Sequence, residues 1–318
     1  MRKKMLSDNP ASQPLVSIVI PAFKPKYFDK ALLSAVRQTY SNIEIIVSDD
    51  SSTDEIKNIV DIFSDMKPIR YYKNESKLYN DQKCFDLANG EYIKFLCDDD
   101  LLHPDCVRQM VAIFEKYGKE ITLVTSKRSR IDSQDNFLPD DNATRILFGK
   151  NTIAGGRETV DFMLSNLVNA VGEPTTVMFR KNNLKENKPF FFSLNGKEFQ
   201  SLTDLSTWIY LLDKGNLFYF ASTLSAFRIH PEQISEQGNT YLKFMSVVEW
   251  YDLIKEARMI GFLQDQTHYQ MALYNLKILL FTKLSFPDIL KPYQEELKKY
   301  FQLVEKDLAE INCMVIDK

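Results

Sequence analysis

The sequence predicts an α/β fold in which helices flank a mainly parallel sheet, followed by a C-terminal helical extension. Apolar, β-branched segments alternate with segments of helical spacing between residues 15 and 126. The first of these segments are apolar at nearly every position, as in strands covered on both faces. Beyond residue 240, every segment has helical periodicity.

Each predicted element follows from its local pattern. Strands are expected at 15–23, 43–50, 69–74, 91–96, 121–126, 175–180 and 217–221. Helices are expected from Phe28 to Thr39, after residue 52, at 79–89, around Pro104 and at 203–214. The spacing of Ser52 and Glu55 predicts a capping box, and Pro104 is expected in a first helical turn. From 130 to 200, long polar loops are expected around the strand at 175–180.

The C-terminal region contains an apolar stripe at three- and four-residue steps from Leu290 to Ile311. We expect the stripe to pack on the body of the protein, and a partner-binding or membrane-surface helix is the alternative. The segment 271–284 contains lysines and is shorter than a membrane span, so we expect a buried or interfacial helix.

Composition narrows the functional class. The chain has 40 basic and 43 acidic residues and a net charge of −3, so no nucleic-acid partner is expected. Its four cysteines have neither CxxC spacing nor the density of a disulfide scaffold, which favours a reducing cytoplasm. The first residues show no signal peptide. GxGxxG and GxxxxGK[ST] are both missing, which argues against nicotinamide dehydrogenases and P-loop enzymes.

Two acidic clusters follow predicted strands. Asp98, Asp99 and Asp100 come after the strand at 91–96, and Asp49 and Asp50 end an earlier strand. Such sheets bind ligands beyond the carboxyl ends of their strands. Adjacent carboxylates repel one another, and Mg²⁺ or Mn²⁺ bound with substrate phosphates would relieve that repulsion. A solvated acidic turn and simple helix capping are the alternatives.

Five segments together resemble a known family. They are "PLVSIVIPAF", "IEIIVSDDSSTD", "ANGEYIKFLCDDD", "TDLSTWIYLLDKG" and "FRIHPEQIS". Their order and approximate spacing resemble the inverting nucleotide-sugar glycosyltransferases of family 2, which have a Rossmann-like GT-A type fold. The resemblance covers residues 14–236 and implies a glycosyltransferase domain there. A polar lead at 1–13 precedes it, and the helical periodicity near the C-terminus predicts a helical extension at 237–318. The domain would comprise a nucleotide-binding half, 14–126, and an acceptor-binding half, 127–236.

The resemblance implies how the nucleotide base is bound. Pro21, Ala22 and Phe23 would form the floor under the base. Asp50, or alternatively Asp49, would accept a hydrogen bond from a pyrimidine imide. A uracil base, and therefore a UDP-linked donor, is expected.

The resemblance also implies roles around the diphosphate. Asp98 would bind the ribose, Asp99 would be the metal ligand, and Asp100 would be structural. Lys83 would meet the pyrophosphate, with a solvated lysine as the alternative. Cys97 stands where many relatives have an aspartate, so the motif leaves open which carboxylate contacts which group.

Two further positions match the later motifs. Asp204 would be the catalytic base, although Thr203 replaces the acid that often precedes it in the family. The alternative is an ordinary residue of a helix N-terminus. His230, in an Arg-x-His segment with Arg228, would reach the metal or the diphosphate, unless it is an ordinary surface or core histidine.

The implied function is metal-dependent, inverting transfer of a sugar from a nucleoside-diphosphate donor. The expected acceptor is a hydroxyl of a glycan, glycolipid or glycoprotein in polysaccharide assembly. A cytoplasmic location is expected, with peripheral membrane contact or self-association through the C-terminal helices left open. A non-catalytic nucleotide-sugar-binding scaffold is one alternative. A nucleotidyltransferase is another, but "PAFKPKYF" has no glycine where that class has a glycine-rich loop.

Overall fold

The computed structural model of the chain describes residues 13–75, 79–141, 144, 147–184, 193–233 and 239–316. Most of the polar lead predicted at 1–13 lies outside the described residues. The chain divides into two compact units, each built from separate stretches of sequence. The sheet unit comprises 1–155, 171–186 and 214–230, and the helical unit comprises 156–170, 187–213 and 231–318. The domain boundaries that the sequence suggests stay predictions.

The sheet unit alternates strands and helices in its first part. Its strands are β1 (Val16–Ala22), β2 (Ile43–Asp49), β3 (Ile69–Lys73), β4 (Tyr92–Phe95), β5 (Leu101–Leu102), β6 (Ile121–Ile131), β7 (Phe137–Leu138), β8 (Thr152–Ala154), β9 (Met178–Arg180) and β12 (Asn216–Arg228). Its helices are α1 (Phe28–Val36), α2 (Glu55–Phe63), α3 (Asn80–Leu87) and α4 (Cys106–Tyr117).

The sheet has the order β3-β2-β1-β4-β9-β6-β12-β5. The four strands at its β3 end are parallel, and β2 is buried at every position, as its continuous apolar sequence predicts. The short β9 lies antiparallel between β4 and β6. The sequence predicted a strand there but not its direction. The α/β class is confirmed, and the observed sheet is mixed.

The strands β6 and β12 extend beyond their predicted ends. They pair in parallel. The outer part of β6 is polar and half-exposed at 127–130, and the outer part of β12 contains the exposed Ser222 and Thr223, so the apolar pattern is interrupted while the ladder continues. The register shifts after Phe220, which adds an irregularity that a sequence pattern does not reveal.

Two predicted helix starts are wrong in detail. No side chain caps α2 at its N-cap residue, Asp54, so the capping box predicted from Ser52 and Glu55 is not formed. The helix α4 begins at Cys106, after Pro104 rather than with Pro104 in its first turn. The carbonyl of Pro104 instead accepts the N–H of Thr39 at 2.9 Å, which ties this turn to the end of α1.

The helical unit contains five helices and one small hairpin among the residues described. They are α5 (Gly156–Asn166), α6 (Thr203–Leu212), α7 (Thr240–Met259), α8 (Gln266–Ser285), α9 (Gln294–Ile316), and the hairpin of β10 (Ser193–Leu194) and β11 (Lys197–Glu198). The helix α5 lies where the sequence predicted loops. Its buried Val160, Met163 and Leu164 do have helical spacing, but polar neighbours and an adjoining Gly-Gly pair obscure that pattern.

The two C-terminal helices differ in how they use their apolar residues. The apolar stripe of α9 is buried at Leu297, Val304 and Ile311, and α9 packs mainly against α8. Its packing on the body of the protein stays a prediction. In contrast, α8 is apolar on opposite faces, since Leu276 is buried while Ile278 is 51% exposed. No helix in the described part of the chain is both long and apolar enough to cross a membrane.

Gly90 provides a test of how β1 and β4 are joined. Its N–H donates to Oγ of Ser17 at 2.8 Å, and an added Cβ would lie 2.5 Å from the backbone nitrogen of Ser17. Gly90→Ala should therefore reduce the free energy of unfolding by about 1–3 kcal/mol, measured by urea denaturation. Gly149→Ala is the control, because its Cβ would enter open space. Equal stabilities of the two variants would contradict this account.

Candidate functional site

The carboxyl ends of β1 and β2 lie side by side at one edge of the sheet. Ala22 pairs with Asp49, and the carbonyl of Ala22 accepts the N–H of Asp50 at 2.9 Å. The amide of Asn80 donates to the carbonyls of Ala22, at 3.1 Å, and Ser48, at 2.9 Å. Asn80 therefore ties α3 to both strand ends. The sequence pattern does not single out Asn80, whose only signal is an amide at the start of a predicted helix.

Asp49 and Asp50 have different surroundings although they are adjacent. The buried carboxylate of Asp49 accepts hydrogen bonds from the N–H of Ser51 at 2.7 Å, the hydroxyl of Tyr71 at 2.7 Å and the ammonium of Lys73 at 3.0 Å. Burial alone would raise its pKa, but these hydrogen bonds outweigh burial and lower the pKa. Asp50 is exposed, and partial desolvation and the charge of Asp49 raise its pKa. Asp49 is thus committed to the structure.

Asp98 connects the end of β4 to the end of β1. One of its carboxylate oxygens accepts the backbone N–H groups of Phe23, at 2.7 Å, and Lys24, at 2.8 Å. Burial raises the pKa of Asp98 to about 6, against the opposite effect of these hydrogen bonds. The ring of Phe23 is 51% exposed beside it. Three strand ends, those of β1, β2 and β4, are therefore joined at this edge.

Asp100 is buried and fully engaged by protein groups. The hydroxyl of Thr175 donates to one carboxylate oxygen at 2.7 Å, and the N–H of Arg228 donates to the other at 3.0 Å. Thr175 also accepts the N–H of Cys97 at 3.0 Å. Burial first, and the charge of Asp99 second, raise the pKa of Asp100. These contacts agree with a structural role for Asp100, which stays a prediction. Thr175 is a supporting residue that the sequence pattern did not single out.

Asp99 and His230 lie together although they are far apart in the sequence. Nε2 of His230 lies 3.0 Å from Oδ2 of Asp99, and the imidazole packs at 4.8 Å from the ring of Tyr27. Arg228 donates from Nε to the backbone carbonyl of Asp99 at 2.7 Å, and its guanidinium forms an ion pair with Asp135 at 2.5 Å. These contacts fix the backbone of Asp99 and leave its carboxylate 22% exposed.

The pair formed by Asp99 and His230 suits a cation that arrives with its own ligands. In the parts of the chain that the structure describes, no three His, Cys, Asp or Glu side chains form a metal cage. Mg²⁺ is commonly bound by one or two side chains, with water and substrate phosphates as the other ligands. A carboxylate oxygen and an imidazole nitrogen at one point match that pattern, which differs from the closed set of a structural metal centre.

The helix α3 adds a further carboxylate at the same edge. Burial, together with the charges of Asp50 and Asp98, raises the pKa of Asp81 to about 6. The sequence pattern does not single out Asp81, because one acid in a first helical turn is commonplace. Lys83 is half-buried on α3, and its contact with a pyrophosphate stays a prediction.

Asp204 belongs to the helical unit, in the first turn of α6. One of its carboxylate oxygens accepts a hydrogen bond from the side-chain amide of Asn169 at 2.8 Å, and the other accepts the N–H of Leu205 at 2.8 Å. Its carboxylate is therefore oriented by two donors. Its position agrees with the predicted helix at 203–214, while its role as a base stays a prediction.

Comparisons with known proteins identify relatives along the chain. The model of the family described as "Glycosyl transferase family 2" matches residues 17–188. Curated glycosyltransferases of Rickettsia species match over segments that span from 19% to 74% of their own lengths. A Campylobacter jejuni protein named GalNAc(5)-diNAcBac-PP-undecaprenol beta-1,3-glucosyltransferase is 25% identical over 83% of this chain and 84% of its own.

Solved structures share the fold at low sequence identity. S. aureus TarS, crystallised with UDP-GlcNAc, has a TM-score of 0.58 and 13% identity over 93% of this chain and 91% of that chain. The mannosyltransferase PcManGT of Pyrobaculum calidifontis, solved with GDP-Man and Mn²⁺, has a TM-score of 0.54 and 12% identity. That alignment covers 95% of this chain and 89% of the other. These neighbours confirm the predicted fold class.

The hydroxyl of Thr175 can be tested through stability. In Thr175→Val, the N–H of Cys97 and the carboxyl group of Asp100 lose a buried partner. We expect a loss of about 1–3 kcal/mol in the free energy of unfolding, measured by urea denaturation. Thr122→Val is the matched control, since the buried hydroxyl of Thr122 has no hydrogen-bond partner among the described residues. A loss in the control as large as in Thr175→Val would contradict the assignment.

Proposed function

The chain belongs to glycosyl transferase family 2, and on that basis we propose that it transfers a sugar from a nucleoside-diphosphate donor to an acceptor hydroxyl. The donor would be UDP-linked, and the reaction would invert the anomeric carbon. The main support is the joining of three strand ends at one edge, where Asp98 accepts the N–H groups that follow β1 and Asp99 lies against His230.

The proposed nucleotide site uses the edge formed by β1 and β2. Pro21, Ala22 and Phe23 would lie under the base, and the exposed ring of Phe23 offers an apolar face for it. Asp50 would accept the hydrogen bond from the base, because the carboxylate of Asp49 already has three donors. Asp98 would bind the ribose. The structural neighbours bound to UDP-GlcNAc and GDP-Man support a nucleoside-diphosphate sugar as the donor class.

The proposed diphosphate site contains Asp99, His230 and Lys83. Asp99 and His230 would hold Mn²⁺ or Mg²⁺, a proposal supported by their 3.0 Å contact and by the neighbour solved with Mn²⁺. A bound cation supplies Lewis-acid stabilisation of the charge on a leaving diphosphate. Lys83 would add a point charge near the same phosphates. His230 also holds the carboxylate of Asp99 in place, so its contribution includes orientation.

The proposed chemical step is a single displacement. Asp204 would remove the proton of the acceptor hydroxyl as its oxygen attacks the anomeric carbon, while the bond to the diphosphate breaks. A positioned base of this kind contributes roughly 10² to 10⁴-fold in rate. The hydrogen bonds from Asn169 and Leu205 leave the carboxylate in a defined orientation, which supports this role.

The proposed acceptor is a hydroxyl of a glycan, glycolipid or glycoprotein. The name of the C. jejuni relative includes a polyprenol-linked glycan, which supports acceptors of the lipid-linked kind. A cytoplasmic location, peripheral contact at the inner face of the membrane and self-association through the C-terminal helices stay predictions.

Asp99→Ala tests the metal assignment. In the wild type, Mn²⁺ should increase the thermal shift that UDP produces, because a ligand that binds the folded state stabilises it. In Asp99→Ala, we expect the Mn²⁺-dependent part of the UDP shift to disappear. Asp61→Ala is the control, since Asp61 is an exposed acid that pairs with Lys57 on α2. An unchanged Mn²⁺ effect in Asp99→Ala would refute the metal assignment. GDP, dTDP and CDP, measured in parallel with UDP, test the expected preference for a uracil base.

Asp204→Asn tests the base. We expect UDP release from a UDP-sugar to slow by roughly 10² to 10⁴-fold, while the affinity for UDP stays within about twofold, because the base acts on the acceptor. Asp213→Asn at the C-terminal end of α6 is the matched control and should stay active. Full activity in Asp204→Asn would mean that another residue is the base. A wild type that binds UDP-sugars but releases no UDP with any acceptor would favour the scaffold alternative.

A further inference from the structure

The start of α6 rests on a buried carboxylate from the C-terminal extension. Glu249 lies on α7 and is 2% exposed. One of its carboxylate oxygens accepts the N–H of Gln200 at 2.6 Å. The other accepts the N–H groups of Ser201 and Leu202, both at 2.9 Å. Three consecutive backbone donors thus converge on one side chain.

This arrangement stabilises a charge that burial would otherwise make unfavourable. A buried carboxylate costs several kcal/mol unless it is paired or hydrogen-bonded. Glu249 obtains charge-assisted hydrogen bonds from N–H groups directly before a helix, where the helix dipole also favours negative charge. The backbone of residues 200–202 is therefore held in one conformation by its contact with α7.

The residues held by Glu249 lead directly to Asp204. Leu202 is the N-cap residue of α6, and Asp204 follows two positions later. Asn169 and Leu205 donate to the carboxylate of Asp204 at 2.8 Å, so they set its side-chain orientation. Glu249 instead fixes the backbone from which that side chain projects. A change in the entry of α6 would move the carboxylate of Asp204 as a whole.

Two other acids of α7 have different partners. Glu256 lies two turns after Glu249 and accepts a hydrogen bond from Asn195 at an exposed position, 2.9 Å away. Asp252 forms an ion pair with Lys197 at 2.7 Å. Both partners belong to the β10–β11 hairpin, so these two acids stabilise the hairpin. Glu249 is the acid of α7 that binds the residues directly before α6.

We propose that Glu249 is a positioning residue for Asp204, acting through the backbone of residues 200–202. This inference rests on the proposed function, because it assigns Glu249 to the support of the proposed base. It gives the C-terminal extension a part in the transfer reaction. The extension would hold the proposed base, Asp204, in place.

Glu249→Gln is the first test, in the full-length chain. The amide keeps the shape of the side chain but removes the charge and points an NH₂ group at a backbone donor. We expect kcat for UDP release to fall by about 10²-fold, as for a misplaced catalytic group. The KM for the UDP-sugar and the affinity for UDP should stay within about twofold. Glu249→Asp keeps the charge and should recover most of the kcat, while Glu256→Gln should behave as wild type.

A double variant shows whether Glu249 acts through Asp204. If it does, adding Glu249→Gln to Asp204→Asn should lower kcat no further, because coupled residues are not additive. Amide hydrogen exchange at residues 200–202 should be faster in Glu249→Gln than in Glu256→Gln. Faster exchange without a change in kcat would overturn the inference, and so would an additive loss in the double variant.

The outcomes separate this inference from the proposed function. An active Asp204→Asn variant would remove the base assignment and the inference with it. An inactive Asp204→Asn variant combined with a fully active Glu249→Gln would overturn the inference alone. If Glu249→Gln does not fold, Glu249→Asp decides through the residual loss of kcat that its shorter side chain should cause. Faster exchange at residues 200–202 with an unchanged kcat, or a raised donor KM without a loss of kcat, would overturn the inference.

Discussion

Carboxylates gathered at the ends of parallel strands must find donors, and the organisation of this edge of the sheet depends on that constraint. Each aspartate that points into the protein is satisfied by backbone N–H groups, hydroxyls or a lysine, as Asp49 and Asp98 are. Because the donors come from other strands and loops, the same hydrogen bonds that stabilise the charges also join the strand ends. The hydrogen bonds that replace water around these carboxylates therefore also determine the structure of the edge.

The consecutive residues Asp98, Asp99 and Asp100 have the same side chain but different hydrogen-bond partners. The chain turns after β4, so the three carboxylates point to different surroundings. Asp98 meets the loop that follows β1, and Asp100 is enclosed by Thr175 and Arg228. Asp99 keeps a partly exposed carboxylate, which contacts the imidazole of His230. Hydrogen bonds from protein donors offset part of the repulsion among the three, while burial and the charge of Asp99 raise the pKa values of Asp98 and Asp100.

In the helical unit, a buried carboxylate stabilises the start of a helix in the same way. Glu249 is a buried anion whose charge is stabilised by three N–H groups, much as Asp98 is stabilised by two. In both places, a carboxylate from one element fixes the backbone of another by accepting hydrogen bonds that the backbone cannot make within a helix or strand. Residues that determine the position of a site can therefore lie far from it in the sequence.

The sequence by itself determined the α/β class, most element positions and the acidic edge, because periodicity and strand-end chemistry are local properties. Its family motifs also pointed to Asp99 and His230 before any contact was known. Only the tertiary structure decided that Asp49 is committed while Asp50 is exposed, that β9 runs antiparallel, and that Glu249 holds the entry of α6. These features depend on which distant donors reach a side chain and on the direction in which a strand enters the sheet. Local patterns of polarity contain neither kind of information.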